Sequence, residues 1–204
     1  MKFITECEVR MSTPMWNSTY DLQVLKKFGF SCRKVKTSRV QEVFFTLPEM
    51  NYLLLCCDGA SKGNPGSAGF GFIGRNSNGD YLIAMAGGLG VATNYYAEVM
   101  AILCAGEWAI QHGFFQLIFR TYSQSVIEAF KSQKMPWFAI SRWKICLSIR
   151  DWRFIHTYRE VNFLADSLAK KGADLQRGEN IIYIHRPAFL SPMENDQQTY
   201  YRFR

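Results

Sequence analysis

The sequence predicts an α/β fold in which a mixed sheet of five strands is flanked by helices. Three observations carry this prediction. The apolar run Tyr52–Cys57 has the length of a buried strand and leads into the turn-rich segment Gly59–Gly66. Asn76–Gly79 is a strong hairpin signal between two further strand candidates. Beyond residue 94 helical and strand patterns alternate, so an antiparallel meander should be followed by parallel strands with helices between them.

Local chemistry predicts each element in turn. The first long helix contains no proline and is rich in Ala, Glu, Met, Ile and Leu, and Gly113 follows it as a stop. The last helix should close near Gly172. A short amphipathic helix is also compatible with residues 20–30. The predicted strands are residues 52–57, 68–75, 80–86, 116–121 and 152–158, and the predicted helices are residues 94–112, 123–132, 138–149 and 162–173.

The 204 residues suffice for one domain with a full hydrophobic core and modest extensions. We assign residues 1–49 to an N-terminal extension, 50–175 to the domain and 176–204 to a C-terminal tail. The tail ends in the aromatic and basic run Tyr200–Arg204. These aromatic rings could stack on nucleic-acid bases, or they could anchor the tail to its own domain.

Charge and hydropathy narrow the class of protein. The net charge of +7 suits a polyanionic partner, although a basic surface that only aids solubility explains it equally well. No apolar run approaches the roughly 20 residues that span a bilayer, and no signal peptide is recognisable. We therefore expect an intracellular protein of the nucleus or cytoplasm that is neither secreted nor membrane-bound. The six cysteines show no C-x-x-C spacing and are interpreted as reduced thiols.

Three acidic residues are predicted to point inward. Asp58 ends the buried first strand, Glu98 lies on the sheet-facing stripe of the long helix, and Asp166 lies in the first turns of the last helix. One inward acid is more often a salt-bridge partner than a catalyst. Three of them, carried by elements that can meet at one sheet edge, predict an oxygen-ligand site for Mg²⁺.

The segments around these acids resemble a known family. Asp58–Gly66, Thr93–Glu98 and Tyr158–Ala169 are similar to the motifs of plant RNase H-type domains, the reverse-transcriptase-like domains found in retroelement polyproteins and as stand-alone proteins. The resemblance implies hydrolysis of the RNA strand of an RNA/DNA hybrid by two Mg²⁺ (or Mn²⁺) ions. It also implies the same mixed sheet of five strands that the pattern of elements predicts.

The resemblance implies a role for each site residue. Asp58 would bridge both metal ions, Glu98 would ligate the ion on the leaving-group side, and Asp166 would ligate the ion on the nucleophile side. RNA-backbone and 2′-hydroxyl contacts are implied for the glycine-rich segment and the start of the long helix. The implied nucleic-acid-binding residues are Gly59, Ser61, Asn64 and Asn94.

The sequence departs from this family at the end of the fourth strand. The family pattern there is acid, Thr or Cys, Asp, Ser, whereas this chain has Arg120, Thr121, Tyr122 and Ser123. Tyr122 thus replaces a catalytic aspartate with a bulkier side chain that is a poor Mg²⁺ ligand. Losing one metal ion would slow hydrolysis on the order of a thousandfold or more. Arg120 also replaces an acid with a cation, which we expect to lie next to the site.

Neither nearby acid is a good substitute for the missing aspartate. Glu128 lies in the next helix and Glu160 precedes the last helix, so neither is at the strand end. The leading hypothesis is a catalytically impaired relative that binds RNA/DNA hybrid or double-stranded RNA. The alternatives are a weak but active hybrid endonuclease that uses the three remaining acids, and a non-catalytic interaction module or retroelement relic.

Overall fold

The computed structural model describes residues 19–29, 39–146, 149–190 and 192–203. The strands are β1 (Val40–Phe44), β2 (Leu53–Gly63), β3 (Gly66–Arg75), β4 (Tyr81–Ala92), β5 (Gln116–Thr121), β6 (Asp151–His156), β7 (Asn180–Tyr183) and β8 (Thr199–Phe203). The helices are α1 (Thr19–Phe28), α2 (Asn94–Gln111), α3 (Gln124–Lys131), α4 (Trp137–Cys146) and α5 (Phe163–Gly172), and a single 3₁₀ turn covers Arg159–Val161. None of the helices in these described ranges is long and apolar enough to cross a membrane.

The main sheet has six strands in the order β6-β5-β2-β3-β4-β7. Strands β2, β3 and β4 form the predicted antiparallel meander, and β5 and β6 extend the sheet in parallel from β2. The mixed α/β architecture is confirmed. The sixth strand is β7, which pairs antiparallel with the edge of β4. It was not predicted because the segment was assigned to the polar C-terminal tail, although residues 181–184 form a short apolar run.

The glycine-rich segment after Asp58 was wrongly predicted to be a turn. Strand β2 continues through it to Gly63, and only Asn64 and Pro65 connect it to β3. The glycine at position 59 serves helix packing, because a Cβ there would lie 2.2 Å from the backbone nitrogen of Glu98. A side chain at this position would therefore push α2 away from the sheet.

Each face of the sheet carries its own hydrophobic core. The side chains of β2 alternate between the two cores: Leu55 and Cys57 belong to the first core, and Leu54 and Cys56 belong to the second. Helices α2, α3 and α4 cover the first face, and α5 covers the second. Asp58 lies two residues after Cys56 in β2, so its side chain points to the face that α5 covers.

The polypeptide on either side of the predicted domain contributes to the second core. The compact unit that carries this core runs from Glu42 to Tyr201. Phe45 and Leu190 are both buried in it. Tyr200 packs near Phe163 of α5, with ring centroids 6.2 Å apart. Of the two interpretations of the tail aromatics, the structure therefore shows an anchoring contact for Tyr200.

A buried ion pair ties the C-terminal segment to the sheet and to α5. The Arg75 guanidinium contacts a Glu194 carboxylate oxygen at 2.5 Å, and both side chains are at most 2% exposed. The other carboxylate oxygen of Glu194 accepts a hydrogen bond from the backbone N–H of Leu164, at 2.8 Å. Glu194 therefore satisfies one of the free N–H groups at the start of α5.

Candidate active site

Asp58 lies within β2 opposite Gly71, and only 3% of it is exposed. Its Oδ1 accepts a hydrogen bond from the Gly59 N–H at 3.0 Å. Burial and then the nearby Asp166 carboxylate raise the pKa of Asp58 from 3.8 to about 7. The opposing pull of Arg159 is weaker. Asp58 therefore keeps its proton to a much higher pH than an exposed aspartate does.

Glu98 approaches the same region from the first turns of α2. Thr93 is the N-cap of that helix, and its hydroxyl accepts a hydrogen bond from the N–H of Tyr96 at 3.2 Å. Glu98 is 3% exposed and accepts a hydrogen bond from the Thr121 hydroxyl at 3.2 Å. Burial, followed by the Asp58 carboxylate, raises the pKa of Glu98 to about 8. Thr121, at the end of β5, was not identified from the sequence as a partner of this acid.

Asp166 lies in the first turn of α5 and is the most accessible of the three acids. Its side chain is 21% exposed and forms an ion pair with Lys170, one turn further along the helix. The start of α5 is tied to β2 because Asn162 Nδ2 donates to the carbonyl of Cys57 at 3.1 Å. This contact fixes Asp166 beside Asp58.

The three predicted acids thus lie in one region, and Asp58 interacts electrostatically with both of the others. Within the described ranges, however, no group of three or more His, Cys, Asp or Glu side chains is arranged to hold a metal ion. The assignment of Asp58, Glu98 and Asp166 as metal ligands and catalytic residues therefore stays a prediction. Glu128 is exposed and accepts from Gln124 at 3.1 Å within its own helix, so it does not complete the set.

Tyr122 follows β5 directly, at the end of the strand where the resemblance places an aspartate. The guanidinium carbon of Arg159 lies 5.0 Å from the centre of its ring, which is the geometry of a cation–π contact. His156 lies on another side, with ring centroids 6.1 Å apart. The positive charge of Arg159 partly offsets the rise in the pKa of both Asp58 and Glu98. A cation of the chain itself therefore lies at this site.

The expectation that Arg120 lies next to the acids is wrong. Its Nη2 donates to the carbonyl and hydroxyl oxygens of Thr46, both at 2.7 Å, and its guanidinium lies 4.7 Å from the centre of the Phe45 ring. Arg120 pairs with Cys56 and so shares the sheet face of Asp58, but its guanidinium is held by residues that precede β2. The arginine that acts on Asp58 and Glu98 is Arg159.

A cleft of about 450 Å³ opens beside the acids. Of the predicted site residues, Gly59, Ser61, Asn94 and Asp166 line it. Asn64 does not, because its side-chain oxygen accepts from the backbone N–H of Asn94 at 3.1 Å and so supports the start of α2. The Ser61 hydroxyl donates to the Ala92 carbonyl at 2.8 Å, which ties β2 to the end of β4.

Three cations of the cleft were missed by the sequence analysis. Lys62 and Lys170 line it and are ion-paired with Asp174 and Asp166. Arg159 is the third. The sequence does contain a signal for each of these residues, because all three lie inside or beside the motifs that carry the resemblance. Their type and proximity to the acids could have identified them.

Comparison with known proteins agrees with this geometry. A family model described as reverse transcriptase-like matches residues 56–172. Ribonuclease HI of Halobacterium salinarum is 30% identical over 123 residues, which cover 57% of this chain and 62% of that relative. The chain thus spans somewhat less than two thirds of that relative's length.

Three solved structures support the same assignment. RNase H1 from Halobacterium salinarum superposes with a TM-score of 0.56 at 30% identity, covering 60% of this chain and 98% of that one. The N-terminal RNase H domain of Rv2228c from Mycobacterium tuberculosis, solved as a fusion with maltose-binding protein, gives 0.57 at 25% identity over 60% and 99%. LC11-RNase H1 in complex with RNA/DNA hybrid gives 0.54 at 26% identity over 60% and 96%. The chain belongs to the reverse transcriptase-like family and carries an RNase H-like domain.

Proposed function

We propose that this protein binds RNA/DNA hybrid or double-stranded RNA through the cleft and that its hydrolytic activity is impaired. Its RNase H-like domain is related to RNA/DNA hybrid ribonucleases. The observation that carries the proposal is Tyr122, which occupies the end of β5 and holds the Arg159 guanidinium against its ring. An aromatic ring and a cation thus stand where the fourth carboxylate of the set would be needed.

The charges of the remaining acids support the impairment. Mg²⁺ and Mn²⁺ bind ionised carboxylates, so a protonated acid must first lose its proton. Asp58 and Glu98 have raised pKa values near neutrality, and Asp166 is ion-paired with Lys170. When bound, divalent ions would activate water and stabilise the leaving oxygen. We therefore expect these metal ions to bind more weakly here than at a complete set of four carboxylates.

The cleft itself supports nucleic-acid binding. It contains Lys62, Lys170 and Arg159 beside the polar start of α2, and the chain has a net charge of +7. Lysine and arginine side chains placed against phosphates release condensed counterions and so favour binding. The related LC11-RNase H1 was crystallised with RNA/DNA hybrid, which makes a hybrid the first ligand to test.

A cleavage assay on a labelled RNA/DNA hybrid, with Mg²⁺ or Mn²⁺, tests the proposal. The wild type, Tyr122→Asp and Asp58→Asn would be compared at equal concentration, together with hybrid binding at low salt. We expect salt-sensitive binding by the wild type and cleavage slower than that of a related RNase H1 by a factor on the order of a thousand. Tyr122→Asp should increase cleavage, because it restores a carboxylate at the strand end.

The same assay separates the alternative functions. Robust cleavage by the wild type that Asp58→Asn abolishes would contradict impairment and support an active hybrid endonuclease. Absence of binding at low salt would contradict the proposed binding and support a protein-interaction module or a retroelement relic.

A further inference from the structure

Arg159 differs from the other two cations of the cleft. Lys62 and Lys170 each form an ion pair with a neighbouring aspartate. Arg159 is exposed, lines the cleft, and forms no ion pair with any residue that the structure describes. Its charge is therefore available to an anionic ligand.

The side chains around Arg159 do not fit a pair of divalent metal ions. Tyr122 offers no carboxylate, and the Asp166 carboxylate is occupied by Lys170. The described ranges hold no group of three acidic, histidine or cysteine side chains arranged for a metal ion. A cation is nevertheless present, because Arg159 acts electrostatically on both Asp58 and Glu98.

We propose that the cleft binds the phosphodiester backbone of nucleic acid without a divalent metal ion, with Arg159 supplying the positive charge. This inference rests on the proposed nucleic-acid binding and specifies how the site achieves it. The guanidinium is planar and can donate two parallel hydrogen bonds to a phosphate. The Tyr122 ring lies 5.0 Å from the guanidinium carbon of Arg159 and holds the side chain at the cleft. No residue that the structure describes accepts a hydrogen bond from this guanidinium, so its N–H groups can donate to a phosphate.

The buried acids are compatible with a phosphate at this position. Asp58 and Glu98 are each only 3% exposed, and neither side chain lines the cleft. A phosphate held in the cleft by Arg159 therefore does not contact either carboxylate directly. The accessible acid, Asp166, is held by Lys170 on the same helix.

The test is binding of the full chain to a fluorescently labelled RNA/DNA hybrid, measured by anisotropy in Mg²⁺ and in EDTA at matched ionic strength. We expect the two dissociation constants to agree within about twofold. Arg159→Gln should weaken binding about tenfold in both buffers, and should reduce the slope of log K against log salt by about 0.9, the value for one lost phosphate contact. Arg186→Gln is the matched control, because it removes the same charge from an exposed residue outside the lining of the cleft.

Binding by the Tyr122→Asp variant is an independent test of the metal-free site. The new carboxylate should pair with Arg159, so binding in EDTA should weaken about tenfold and Mg²⁺ should restore part of it. Wild-type binding that requires Mg²⁺ would overturn the metal-free site while leaving the proposed function intact. Equal affinities for Arg159→Gln and Arg186→Gln would overturn the role of Arg159. No binding by the wild type in either buffer would overturn the proposed function, and this inference with it.

Discussion

Replacing Asp58 with asparagine tests the electrostatics of the buried site without changing the shape of the side chain. Burial and the Asp166 carboxylate hold the pKa of Asp58 near 7, against 3.8 when it is exposed. The folded chain therefore keeps this proton to a higher pH than the unfolded chain does. As the pH rises from about 4 to about 7, the unfolded state gains more from ionisation, so the free energy of unfolding falls.

The size of the effect follows from the shift. About three pKa units at 1.36 kcal/mol each give an upper limit of about 4 kcal/mol above pH 7. At pH 5 the loss amounts to only a little over one pKa unit, which corresponds to roughly 1–2 kcal/mol. The asparagine amide cannot ionise and keeps an oxygen that can accept from the Gly59 N–H. Asp58→Asn should therefore be more stable than the wild type, and its advantage should grow by about 2–3 kcal/mol between pH 5 and pH 8.

Urea unfolding in EDTA, followed by circular dichroism at both pH values, measures this difference. Asp174→Asn is the matched control, because Asp174 is exposed and Lys62 lowers its pKa. Its substitution should give no stabilisation that grows with pH. An Asp58→Asn advantage that is equal at pH 5 and pH 8, or a loss of stability at both, would refute the assignment of a raised pKa to Asp58.

Three further substitutions test contacts around the site. Gly59→Ala should cost about 3 kcal/mol or more in urea unfolding, because its Cβ would lie 2.2 Å from the backbone of α2; a cost below about 1 kcal/mol would contradict that packing. Glu194→Ala should cost about 3–5 kcal/mol, since it leaves the buried Arg75 without its carboxylate, and an unchanged thermal midpoint would contradict the importance of that pair. Thr121→Val removes the hydrogen bond to Glu98 and should raise the pKa of that acid in a carboxyl-carbon NMR titration; an unchanged or lower value would contradict the contact.

The elements were predictable where local chemistry alone determines them. Strand β5 has the bounds that its apolar run indicates, and the Asn76–Gly79 signal does separate β3 from β4. The error lay in the glycines after Asp58, which were interpreted through turn propensity. Glycine also permits two backbones to approach closely, and Gly59 serves that purpose against α2. A single sequence does not distinguish these uses, because the approaching helix begins more than 30 residues later.

The candidate site was predictable for the residues that point inward by periodicity, and less so for their neighbours. Asp58 was placed by its position at the end of a buried strand and Glu98 by its helical stripe, and both are buried. Arg120 was placed by adjacency alone, and its actual partners, Thr46 and Phe45, precede the predicted domain, where no pattern linked them to β5. Arg159 lies inside a recognised motif, but its contact with Tyr122 joins two segments far apart in the chain, and no local pattern encodes that contact.

Helix α5 depends on Glu194, so the RNase H-like domain cannot be transferred to another protein without that residue. Homology alone would mark residues 56–172 as the portable module, yet the carboxylate that caps α5 and neutralises Arg75 lies more than 20 residues beyond that boundary. A chimera or shortened chain that ends at the homology boundary would carry an uncompensated guanidinium in its interior. Recombination at that point should therefore yield poorly folding products, because the segment needed for folding is longer than the region of similarity.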